Sequence, residues 1–250
     1  MKNMKNIFGL VLLLISAGLS AQQDPQYSLY MLNGMAIHPA YAGSMGGISA
    51  NVLCKKQWMG IESAPRTISA KVQMRYFDER LGSGISMYND KMGVFNRSAI
   101  NYAQAYHLIL PQFTVAFGLQ GSVQQFSANF TDIYNAHNAS GVNEISTDQA
   151  FSTNVSKLVV NLGGGLYAYN DHFWLGASMP NMLKTKWDYD MRSGSAAYSV
   201  VHSFISAGGV IDMGPVFQIR PSAMMKIATD APKSIEFSCS GYAYNKFGFG

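Results

Sequence analysis

Residues 67–76 read T-I-S-A-K-V-Q-M-R-Y, an unbroken alternation of apolar and polar side chains. Ile68, Ala70, Val72, Met74 and Tyr76 fall on one face of an extended strand. Thr67, Ser69, Lys71, Gln73 and Arg75 fall on the other. Successive strand side chains point to opposite faces, so this segment has one oily and one wet side. The pattern recurs. Phe113, Val115, Phe117 and Leu119 oppose Thr114, Gly118, Gln120, Ser122 and Gln124; Leu158, Val160, Leu162 and Leu166 oppose Lys157, Asn161 and Tyr167. Phe173, Leu175, Ala177 and Met179 make a shorter run. Phe217, Ile219, Ala223 and Met225 oppose Gln218, Arg220, Ser222 and Lys226, and Ile235, Phe237 and Cys239 oppose Glu236, Ser238, Ser240 and Tyr242. A chain written this way predicts an all-β, antiparallel fold.

Period two alone does not separate a soluble sheet from a membrane barrel. The start of the chain and its composition do. Lys2 and Lys5 precede an apolar run over residues 7–15, then small residues up to Ala21 and the polar Gln22-Gln23-Asp24. This is the pattern of a cleavable signal peptide, assigned to residues 1–21. The run is well short of the roughly 20 residues that a spanning helix needs. No cysteine stands immediately after the cleavage position, which argues against a lipid-modified N-terminus. The chain is 48% hydrophobic and only 13% charged, about half the usual charged share of a soluble domain. An exported, charge-poor, aromatic-rich chain without a spanning helix predicts an antiparallel transmembrane β-barrel of the outer membrane. A secreted β-sandwich is the competing reading. The net charge of +4 includes Lys2 and Lys5, and no basic cluster is present, so nucleic-acid binding is set aside.

Turn signals separate the runs at Asp78-Glu79, Asn89-Asp90-Lys91, Pro111-Gln112, Asn170-Asp171, Gly214-Pro215 and Asp230-Ala231-Pro232. Residues 129–150 and 180–197 are too long and polar for tight turns and are the candidate surface loops. Residues 98–110 and 199–213 alternate poorly, as expected of strands that carry bulges or that line a face covered by a plug. About ten strands can be counted of about 12–14 expected from closure and an even strand number, which predicts a sequence truncated at its C-terminus. The division is signal peptide 1–21, a periplasmic or plug segment 22–46, and an incomplete barrel 47–250.

Catalysis finds little support. His38, His107, His137, His172 and His202 are scattered, with no helical zinc spacing, and no G-x-S-x-G elbow is present. No enzyme activity and no cofactor are expected. Gly163-Gly164-Gly165 sits inside an alternating strand, where glycine marks a bend or a close backbone approach. Cys54 and Cys239 both fall on apolar faces of distant strands, so free thiols are expected. Trp58, Trp174 and Trp187 are expected at the membrane interface. Lys71, Arg75, Lys157, Arg220, Lys226 and Glu236 share the polar, inward face. Two readings stay open for them: an ordinary self-paired interior, or a lumen that recognises a segment of a partner. Tyr27, Tyr30, Met31 and Tyr41 form either a plug in that lumen or a periplasmic lead-in shielding an edge strand.

Four blocks carry a resemblance. They are D-P-Q-Y-S-L-Y-M-L-N-G-M-A-I-H-P-A-Y-A-G-S at residues 24–44, Q-W-M-G-I-E-S-A-P-R-T at 57–67, W-L-G-A-S-M-P-N-M-L at 174–183, and I-R-P-S-A-M-M-K-I-A-T-D-A-P-K-S-I-E-F at 219–237. In this order the chain resembles the PorP/SprF family, membrane proteins of the type IX secretion system of Bacteroidetes, linked to gliding motility. The resemblance implies a non-enzymatic outer-membrane barrel. It would serve the export or surface retention of a cognate secreted adhesin with a C-terminal sorting domain, and would contact periplasmic, peptidoglycan-binding secretion components and outer-membrane lipid. The rival reading is an outer-membrane channel or porin for small or hydrophobic solutes, which shares the signal, the strands and the polar inner face.

Overall fold

A computed structural model of the protein describes residues 33–61, 63–130, 154–184, 186–187, 197–198, 201–229, 232–244 and 247–249. The predicted signal segment 1–21, the candidate plug residues Tyr27, Tyr30 and Met31, and most of the predicted loop 129–150 lie outside the described residues.

The alternating runs form strands β1 (Ile48–Lys56), β2 (Arg66–Tyr76), β3 (Leu81–Met92), β4 (Phe95–Ile109), β5 (Thr114–Ala128), β6 (Val155–Tyr169) and β7 (Phe173–Met179). A small pair follows, β8 (Lys186–Trp187) with β9 (Ala197–Tyr198). Then come β10 (His202–Gly209), β11 (Ile211–Asp212), β12 (Phe217–Ala228), β13 (Ser234–Ala243) and β14 (Phe247–Phe249). The main sheet has 12 strands and every pairing in it is antiparallel; β1 and β14 are its edges and do not pair with each other. Apart from the β8–β9 pair and the short β11, neighbours in sequence are neighbours in the sheet, as short connections dictate.

The two ends of the sheet differ. One carries the connections 77–80, 110–113, 170–172 and 210–216; the other carries the longer 57–65, 129–154 and 180–201, together with the tight turn at 93–94. Residues 89–91, whose polar sequence suggested a turn, lie within β3, and the chain reverses at Gly93 and Val94 instead. Their polarity is explained by position. They extend the strand past its apolar stretch on the long-loop side, where Asp90 accepts a bond from Thr67 Oγ1 (2.5 Å) and Asn89 donates to Ser98 (2.9 Å).

Burial across the sheet is inverted relative to a soluble protein. Most outward side chains are apolar and bare: Val52 is 74% exposed, Leu119 73% and Phe237 82%. The inward ones are polar and enclosed, with Gln73, Ser122 and Asn161 each 2% exposed. A water-soluble sandwich buries its apolar face. An apolar outer wall around a polar interior is the arrangement of strands that cross a lipid bilayer. Cys54 and Cys239 lie on that outer wall as free thiols.

The poorly alternating residues 98–110 are a regular strand without a bulge, paired in step with β5 from Phe95↔Ala128 to Ile109↔Thr114. The pattern is faint because several inward positions are alanine while Gln104, on the outward face, is polar. Ala99, Ala103 and Ala105 are all buried, and something packs tightly against them.

Candidate functional site

What packs there is the stretch just ahead of β1. Residues Gly34–Ile37 form one helical turn and Pro39–Tyr41 a 3-10 turn, which Pro39 favours by its fixed φ and missing donor. The segment lies against the inner face of the sheet, touching β4, β5 and β6 through its 3-10 turn. Met35, Ile37, His38, Ala40 and Ala42 are each at most 3% exposed.

Small residues in the wall make the close approach possible. A Cβ on Gly118 of β5 would come within 2.1 Å of the Ala40 backbone nitrogen, so no other residue fits there without moving the segment. Met35 packs with Ala42, Ala103 and Ala105, while Ala40 packs with Ala116 and Tyr167. Ile37 meets Met224, Trp174 and Phe204 on the other side.

Hydrogen bonds fix the segment to the wall. Ser178 Oγ donates to Ile37 O (2.8 Å), and Gly43 N donates to Gln73 Oε1 (3.1 Å). His107 Nε2 lies 2.9 Å from Ala42 O, to which it donates, and its Nδ1 faces the Tyr169 hydroxyl at 3.2 Å. His38 Nε2 meets Ser206 Oγ at 2.5 Å. Its Nδ1 has no hydrogen-bond partner among the described residues. Two histidines that showed no chemistry in the sequence thus tie the segment to β4 and β10. No spacing rule could have found them, because their partners are 65 and 168 residues away.

Tyr41 is the one candidate plug residue among those described. Its ring meets Tyr167 edge-on at 5.3 Å. Tyr167 also stacks on Trp174 at 5.9 Å. Trp174 therefore points inward, against the expectation of an interfacial position. Its neighbours Phe173 and Leu175 take the outer face, and period two leaves the tryptophan no other direction. Trp58 is 68% exposed on the long-loop side.

The helical turn separates two cavities. On the long-loop side, Asn33 and Ala36 share a cavity with Lys71, Lys226 and Glu236, three of the predicted inner-face residues, and with Arg97 and His202. Lys71 and Lys226 are 7% and 8% exposed. Arg97 Nη2 donates to Gln124 Oε1 (2.9 Å). It escaped the sequence reading because the alanines after it blur the alternation. On the short-turn side, Gly34, His38 and Tyr41 face a second cavity that Arg220 lines. The predicted set is thus divided rather than gathered. Arg75 stands apart at the short-turn rim, where its Nε donates to Glu79 O (2.6 Å). Lys157 lines neither cavity.

The M-P-N stretch after β7 also enters the interior. Pro180 O accepts from Gln120 (3.3 Å), and Asn181 Oδ1 accepts from Ser122 Oγ and Gln124 Nε2, both at 3.1 Å. Asn161 holds the same stretch from β6, accepting from Leu183 N and donating to Leu183 O, each at 2.9 Å. Gly163 leaves room for it: a Cβ there would lie 2.0 Å from Pro180 O. The glycine run therefore serves close backbone approach.

A twelve-stranded antiparallel sheet with a bare apolar wall, a polar interior and an ordered segment inside defines a membrane protein that crosses the bilayer with strands. The family model for the type IX secretion system membrane protein PorP/SprF matches residues 19–250. The chain belongs to this family of outer-membrane β-barrels and is a membrane component of type IX secretion. Comparison with curated proteins and with solved structures returned no match.

Proposed function

We propose that this protein is exported by its signal peptide to the outer membrane. There it binds a cognate secreted surface protein, an adhesin with a C-terminal sorting domain, and helps to export or retain it. In this reading the residues ahead of β1 are a plug, and the periplasmic end joins the barrel to cell-wall-bound secretion components. The observation that carries the reading is the division of the interior. A channel for small solutes needs a continuous path, whereas here residues 33–43 fill the middle of the inner face. What remains on the long-loop side is a cavity whose described wall includes Lys71, Arg97 and Lys226 together with the carboxylate of Glu236. A cation-rich, partly desolvated cup of this kind suits an acidic segment of a protein partner.

The test is site-specific. A photo-crosslinking residue in place of Tyr88, in the wall of that cavity, is expected to capture in cells a secreted protein bearing a C-terminal sorting domain. The double variant K71Q/K226Q is expected to lower the yield about tenfold. If nothing is captured and the purified barrel conducts small solutes across a planar bilayer, the channel reading replaces this one.

A further inference from the structure

The short-turn-side cavity has a chemistry of its own. It encloses about 190 Å³, several water molecules' worth of room. Its walls are aromatic, from Tyr41, Tyr167 and Trp174, with the hydroxyls of Ser222 and Ser240 opposite. One cation, Arg220, lines it, and no carboxylate is among its described lining residues.

The guanidinium is held in place on one side. It lies over the Tyr242 ring, 4.2 Å from the centroid, and its Nη2 donates to Gln218 Oε1 at 3.1 Å. Its Nε is buried and has no hydrogen-bond partner among the described residues. A buried donor left unsatisfied on a charged group is costly, and such groups in native proteins call for an explanation. A stacked, pre-positioned guanidinium whose charge no described neighbour neutralises is the arrangement that selects a planar anion.

From this geometry we infer that the short-turn-side cavity is a binding site for a carboxylate group carried on a peptide, with Arg220 as its anchor and the aromatic walls holding the adjoining apolar atoms. The carboxylate belongs either to the C-terminus of that peptide or to one of its acidic residues. The site is separate from the long-loop-side cavity and does not depend on what that cavity binds.

Trp174 reports on occupancy, because it lines the cavity and stacks on Tyr167. The experiment uses the full-length protein in lipid nanodiscs carrying W58F and W187F, so that Trp174 alone emits. The probes are N-acetyl-phenylalanine for a C-terminal carboxylate, N-acetyl-glutamyl-phenylalaninamide for the carboxylate of an acidic residue, and uncharged N-acetyl-phenylalaninamide. The expected result is a saturable fluorescence change with at least one acid, and at least about tenfold weaker binding of the amide, the loss typical of a charge-assisted contact. R220Q is expected to remove the preference for acid over amide, and R220K to keep part of it. Which acid binds more tightly identifies the source of the carboxylate. Equal response to acid and amide in the parent protein overturns the proposal, and so does an R220Q variant that keeps the preference. Should R220Q fail to fold, the comparison of acid with amide on the parent protein decides.

Discussion

His38 shows how one residue couples the inner segment to the state of the solvent. It is 3% exposed and belongs to the segment rather than to a spanning strand. Burial lowers its pKa from the ordinary 6.5 to about 4, because an imidazolium loses hydration that the site does not replace. In the folded protein the ring stays neutral over a range in which the unfolded chain takes up a proton. Its contribution to stability is therefore fully present above about pH 6.5. It is lost progressively as the pH falls toward 4, by about 3 kcal/mol in all. The melting temperature of the protein in detergent is expected to drop across that window. The variant H38Q, which keeps a neutral polar side chain, is expected to show a flatter profile there. A wild-type curve that does not change between pH 6.5 and 4 would mean that His38 is not buried as described.

At the level of elements, β5 carries the argument in two adjacent positions. Leu119 points to the outer wall and is 73% exposed, while Gln120 points inward, is 6% exposed and donates to Pro180 O. Leu119→Arg places a charge in the lipid and is expected to destabilise the folded, inserted protein by about 2–4 kcal/mol near the midplane. Gln120→Leu keeps the volume but leaves Pro180 O without its donor, with an expected cost of about 1–3 kcal/mol. Urea unfolding in lipid vesicles measures both. A soluble sheet would reverse the expectation for Leu119, because arginine on a water-facing strand costs little. The alternation that places these two residues was legible in the sequence. The reason for Gly118 beside them was not, since only the folded chain brings Ala40 to within a Cβ's width of it.

For the whole molecule, the difference between its two ends predicts an orientation. Short turns face the periplasm and long loops the outside in barrels of this kind, so the 57–65 connection is expected outside and the 110–113 turn inside. Met59 is 83% exposed in the first, and Gln112 lies exposed in the second. In a C54A/C239A background, Met59→Cys is expected to react with a membrane-impermeant maleimide on intact cells. Gln112→Cys is expected to react only after the outer membrane is opened. The opposite pattern would turn the barrel over and put the Arg220 cavity at the cell surface.

The sequence by itself determined the strands, the two faces of most of them and the family. Each of these follows from local order: side-chain period two, turn residues between the runs, and motifs read along the chain. It left residues 22–46 undecided between a plug and a lead-in, and it set Lys71, Arg220 and Lys226 together as one inner-face group. Both matters turn on tertiary structure rather than on local order. Residues 33–43 lie against the inner face, and Lys71 and Lys226 sit on the other side of a helical turn from Arg220. No local pattern encodes this. The contacts that place the segment, His38 with Ser206 and Ile37 with Ser178, join positions 168 and 141 residues apart. They exist only once the sheet has curved to bring β7 and β10 beside the residues that precede β1.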